Sequence, residues 1–151
     1  MDDLIKEILN KEIDLIQACI QRMADCSFKL KGWYVSLITV ALTLLIGQGC
    51  KLSIISLLLL GITTVFWGLD GFFLKMETFY RWKYEWVIKE RLEGNKDYAY
   101  DLNPYNKKMW ENKDAKNTCI ISYIVSKTLL PIYGLVWIIA VGMIIYVLLN
   151  C

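Results

Sequence analysis

With 151 residues, 56% of them hydrophobic, and a mean hydropathy of +0.40, the chain is more apolar than a soluble domain of this size, and a lipid-facing surface is the simplest reason. Its 17 basic and 15 acidic residues leave a net charge of +2, which argues neither for nor against a nucleic-acid partner. There is no histidine, no Gly-rich phosphate loop, no GxSxG and no CxxC pair, so the usual signatures of catalysis and of zinc binding are missing, and no enzyme, metal or cofactor is expected.

Met1-Asp2-Asp3 is acidic and about thirty polar-patterned residues precede the first apolar run, so no cleaved signal is expected and the first span should stay in the mature protein. Residues 1–31 read as an N-terminal amphipathic cytosolic helix. Its apolar seam, Leu9, Ile13, Ile16, Ile20, Met23 and Leu30, recurs every three or four residues with Ser27 at the missing position. The opposite face mixes Lys6, Glu7, Lys11, Asp14, Gln17, Gln21, Asp25 and Lys29, so the seam is expected to pack on another helix rather than on lipid headgroups.

Three stretches are free of Asp, Glu, Lys and Arg for long enough to cross a hydrocarbon core, which takes about 20 helical residues. They are Gly32 to Cys50, Leu52 to Leu69 (to Leu74 if Asp70 is admitted), and Thr128 to Cys151. All but Lys51 of the basic residues lie in 1–31 and 75–127, which the positive-inside rule assigns to the cytoplasm. Trp33 marks the entry to the first span, and the short turn around Lys51 makes residues 32–74 an antiparallel two-span hairpin. Ser36, Thr39 or Val40, Thr43 and Gly47 give the first span a small-residue side, suited to close helix packing more than to lining a pore.

No breaker separates Leu74 from Leu92, so the second span is expected to run on as a long cytosolic helical extension ending at Gly94-Asn95. A polar, Tyr-rich loop or pair of short helices follows, then an amphipathic stretch from Thr118 to Lys127. Residues 128–151 form the third span, which Pro131 can kink. The fold class is therefore all-α, an integral membrane protein built as 1–31, 32–74, 75–127 and 128–151. Cys19, Cys26, Cys50, Cys119 and Cys151 read as singletons packed as small hydrophobes, with a Cys50–Cys151 pairing as the alternative.

Asp70 is the one carboxylate inside an expected span, and such groups are costly enough to suggest a role. Eighteen residues into the helix it lies about 27 Å along it, near the headgroups. Two readings stay open: a cap or salt-bridge partner, or a part in conduction or gating. Helical spacing puts Glu77, Arg81 and Tyr84 on the stripe of Asp70. Glu77 and Arg81 are either a solvated i,i+4 pair or, with Arg22 and Asp25, a charge network around Asp70. Phe79, Tyr80, Trp82, Tyr84 and Trp86 fit an interfacial belt and core packing better than base stacking, so nucleic acid is not expected as a partner.

Two stretches carry a resemblance. Arg22-Met23-Ala24, Ser27-Phe28 and Leu30-Lys31-Gly32-Trp33 are similar to an RMAxNSFxLKGW pattern; Phe66-Trp67-Gly68-Leu69-Asp70, with Leu74, Glu77, Arg81 and Tyr84, is similar to FWxLDAYYLxxERxFRxLY. Both patterns mark a group of small bacterial multi-span membrane proteins, over roughly residues 13–90. The chain departs at Asp25-Cys26 for x-Asn and at Gly71-Phe72-Phe73 for Ala-Tyr-Tyr. The architecture also resembles the SLATT-type membrane effectors of phage-defence loci, a likeness of fold. It implies an effector that permeabilises or depolarises the inner membrane once a cytosolic sensor protein or a nucleotide second messenger reports infection. Three spans in one chain cannot enclose a water-filled path, so a channel would require a homo-oligomer; Ser27, Trp33, Trp67 and Tyr84 are expected as packing positions. A non-conducting membrane anchor that docks a cytosolic partner is the alternative.

Overall fold

A computed structural model describes residues 3–47, 49, 51–106, 108 and 119–150. Cys50 and Cys151, on which the alternative disulfide falls, lie outside them, as does most of the segment following Asn106. The described residues are helical without strands: α1 (Asp3–Gly47), α2 (Leu52–Leu92), α3 (Ile120–Ile124), a π-helical turn (Leu130–Gly134) and α4 (Leu135–Leu149). Three helices are long and apolar enough to cross a membrane: α1, α2, and the π-turn with α4.

The amphipathic N-terminal helix and the first span are one helix of 45 residues, about 68 Å long. Gly32 does not interrupt it. A glycine costs a helix about 1 kcal/mol, too little to break a run of good helix formers. Gly49, with φ +65°, turns the chain, donating to the carbonyl of Ile46 at 3.0 Å, and α2 starts three residues later. α2 runs unbroken for 41 residues. A Schellman motif ends it: Gly94 (φ +82°) donates to Arg91 at 3.2 Å and Asn95 to Glu90 at 3.0 Å.

Pro131 stands in the first turn of the last helix, where its missing N–H costs nothing, so it starts that helix rather than kinking it. Of the amphipathic stretch expected at 118–127, the five residues of α3 are helical.

The chain forms two compact units, residues 1–26 with 73–119, and residues 27–72 with 120–151. In the first, Ile16, Met76, Tyr80 and Val87 make a core with Leu9, Cys19, Ile20 and Met23 packed on it. The seam of the N-terminal helix is thus spent on α2 of the same chain. In the second, Ile55, Leu59 and Ala140 are buried against Ile38, Leu42, Leu45 and Met143. Pairs such as Ser27–Asp70 and Tyr34–Thr63, with numbers rising on α1 as they fall on α2, make the helices antiparallel there.

Candidate functional site

The second unit is built around Asp70, which has no exposed surface. Its carboxylate accepts from the Ser27 hydroxyl, from Lys31 Nζ at 2.7 Å and from the Tyr133 hydroxyl at 3.0 Å. Lys31 also donates to Ser27 Oγ at 2.6 Å, which Ser27, one turn earlier on α1, places within reach. Three segments therefore converge on one carboxylate: α1 through Ser27 and Lys31, α2 through Asp70 itself, and the π-turn through Tyr133. Taking a carboxylate out of water costs several kcal/mol, and here one ammonium and two hydroxyls offset that cost.

Aromatic rings enclose the site. Tyr133 lies 4.8 Å from Tyr34 and stacks on Trp67 at 6.3 Å; Tyr34 also meets Phe66 at 5.7 Å and shares a hydrogen bond of 3.0 Å with Thr63. Trp67 donates its indole N–H to the Ile124 carbonyl at 2.8 Å, which ties α3 to α2. Gly71 is needed beside it, because a Cβ there would lie 2.8 Å from Ile124 Cγ1.

The structure thus brings Ser27 and Trp67, singled out in the sequence, into the surroundings of Asp70. Trp33, by contrast, is 69% exposed. The remaining residues of the expected network belong to the first unit. Arg81 holds Glu77 with a two-pronged contact at 3.0 and 2.7 Å, Asp25 accepts from Gln21 at 3.0 Å, Tyr84 packs on the Ile16 core, and the charge of Arg22 acts on the Tyr80 phenol. Burial, the dominant influence there, pushes the Tyr80 phenol up.

A second cluster in the first unit was not anticipated. Arg91 and Glu12 form a buried pair at 2.8 and 3.0 Å; Arg91 also caps the carbonyls of Asn95 and Asp97, and Glu12 accepts the Tyr100 N–H at 2.7 Å. Lys83, equally buried, donates to the Asn103 carbonyl at 3.0 Å and lies 3.4 Å from Asp101. Burial holds the Lys83 ammonium below the usual lysine range, outweighing the pull of Asp101. Asp101 is itself pushed up by burial, but the Asn103 N–H, Lys83 and Asn106 together bring it below the usual carboxylate value. These anchors hold residues 95–106 over Phe79, which Tyr105 covers edge-on at 5.7 Å. Tyr98 and Tyr100 are kept at φ +57° and +59°, a conformation L side chains rarely adopt.

Signals for the missed residues exist. Glu12 falls between Leu9 and Ile16 at core spacing, Arg91 is seven residues beyond Tyr84 on its stripe, and Tyr133 is one of the few polar groups, with Thr128, Tyr146 and Asn150, in the apolar stretch 128–151. Set beside known proteins, the chain matches no family model, no curated protein and no solved structure.

Proposed function

We propose that the chain is a multi-span protein of the bacterial inner membrane, with its N-terminus and residues 75–127 cytoplasmic, that assembles with copies of itself and depolarises or disrupts that membrane in anti-phage defence, once a partner protein or nucleotide signal triggers it. The observation that carries this reading is the buried carboxylate of Asp70, bonded to Ser27, Lys31 and Tyr133. A charge kept among apolar helices is costly and is the expected place for function in a membrane protein. Any change at this one carboxylate acts on α1 and on the last helix together. The distribution of Lys and Arg supports the orientation, and the RMAxxSFxLKGW and FWxLD stretches support the effector class.

Three spans cannot by themselves enclose a water-filled path, so conduction requires an assembly. The test is induced expression in bacterial cells with a voltage-sensitive dye. Depolarisation is expected, and Asp70→Asn and Arg81→Ala should weaken it at equal inserted amounts. An unchanged potential in cells that insert and trigger the protein would overturn the reading.

A second reading, a non-conducting anchor for a cytosolic partner, is favoured by the clamped 95–106 segment, which exposes Tyr98, Tyr100 and Tyr105 on a fixed backbone. Rigidly held tyrosines are common anchors of protein interfaces. Co-purification of a soluble partner without depolarisation would select it.

A further inference from the structure

On the second unit, Trp33, Ser36, Leu37 and Val40 of α1 and Phe66 of α2 line an open groove of about 440 Å³. Its walls are almost wholly apolar. The Ser36 hydroxyl, the one hydroxyl of the α1 wall, is already satisfied by the Gly32 carbonyl at 2.9 Å. Lys29 lies on the same face of α1, four residues before Trp33 and seven before Ser36, just ahead of the charge-free stretch. Among the described residues Lys29 forms no ion pair and the Trp33 indole N–H donates to no residue, so a free cation one turn before the lining residues and a free donor among them lie on the N-terminal side of the apolar slot along α1. From Lys29 to Val40 the helix rises about 16 Å, close to half of a hydrocarbon core about 30 Å thick.

We propose that this groove is a binding site for one anionic phospholipid, its phosphate held by Lys29 and the Trp33 N–H and one acyl chain laid along Leu37, Val40 and Phe66. The proposal rests on the reading that α1 and α2 lie in a bilayer. A lipid supplies an anion and an apolar tail at the required separation. A second copy of the chain does so less well, because its charge-free stretches carry no carboxylate except Asp70, which is fully buried.

The test uses the full chain in vesicles of phosphatidylglycerol and phosphatidylcholine, first floated on a density gradient to establish insertion, then released into detergent for native mass spectrometry. Wild type should retain one phosphatidylglycerol about fivefold over phosphatidylcholine, the effect of one basic residue at an anionic surface. Lys29→Ala should retain both lipids equally, and Val40→Trp, which fills the groove, should retain neither. Retention without headgroup preference in wild type, undiminished phosphatidylglycerol on Val40→Trp, or a lipid-free dimer in its place would overturn the proposal while leaving the membrane reading intact. Failure to float would overturn both.

Discussion

Arg91 reaches across 79 positions of sequence to Glu12 and closes a fork on its carboxylate with both side chains buried. The same guanidinium and carboxylate hold Asn95, Asp97 and Tyr100, so the pair fixes the start of the 95–106 segment as well as joining α1 to α2. Arg91→Ala leaves Glu12 buried without its cation, at a cost of about 3–5 kcal/mol. Lys in its place cannot reproduce the fork. Trypsin should then cut after Lys96 in both variants under conditions that leave the wild type intact, read by mass spectrometry of the fragments.

Asp70→Ala strands Lys31 and the Ser27 and Tyr133 hydroxyls together. Lys31 keeps 26% of its side-chain surface and can turn towards water, so the expected loss is at the lower end for a broken buried pair, about 3 kcal/mol. Asp70→Asn still offers a carbonyl to the two hydroxyls and should lose less. Thermal unfolding in detergent followed by circular dichroism should rank wild type above Asn and Asn above Ala; equal melting of Ala and wild type would contradict the convergence of bonds on this carboxylate.

Gly71 and Gly68 differ by one turn and should respond oppositely. A methyl at 71 meets the Ile124 side chain at 2.8 Å and must displace it, costing about 1–3 kcal/mol, whereas nothing lies within 4 Å of a Cβ at 68. Gly68→Ala should raise stability by about 0.5–1 kcal/mol through the better helix former. Paired melting curves check both.

Tyr100 adopts a left-handed backbone conformation and is 47% exposed, and Asn tolerates that conformation better. Tyr100→Asn is expected to stabilise the fold by about 0.5–1 kcal/mol in denaturant titration. Tyr98→Asn should gain less, since it also loses the edge contact of Tyr98 with Trp86 at 6.2 Å.

The Lys83–Asp101 pair gives stability a defined dependence on pH. Folded Asp101 holds its proton less tightly than its ordinary value of 3.8 implies, so its contribution is complete above that value and is lost as pH falls through the lower folded value. Lys83 acts at the other end: its folded ammonium is also weakened, so between that depressed value and 10.5 its contribution grows as pH rises. Asp101→Asn should flatten the acid limb of a melting-temperature profile and start the rise due to Lys83 at lower pH, because the ammonium loses the charge that holds it up.

Helix periodicity and charge made much of the fold legible. The long α2, its end at Gly94 and the apolar last helix all follow from spacing and from the absence of breakers. Pairing was harder to read. Charge assigns Ser27 and Lys31 to the polar N-terminal segment, yet they pack in the unit of the apolar helices because they hold Asp70. Asp70 announced itself by its cost, while Tyr133 did not, since a tyrosine in an apolar run is common and its partner lies 63 positions away. Glu12, Lys83 and Arg91 were concealed for a related reason: in a charge-rich stretch a buried ion looks like a solvated one until its partner is placed.

The wide turn at Leu130–Gly134 sets the aim of the Tyr133 hydroxyl. A π-turn accommodates one residue more than an α-helical turn, and one residue is worth about 100° of rotation about the axis. Tyr133 lies inside the turn, so relative to the face that Ala140 buries a regular helix would swing the phenol round by part of that angle. The last helix therefore carries two phases: one points its apolar side chains at Ile55 and Leu59, and the other, offset by the π-turn, brings a single hydroxyl to the carboxylate of Asp70.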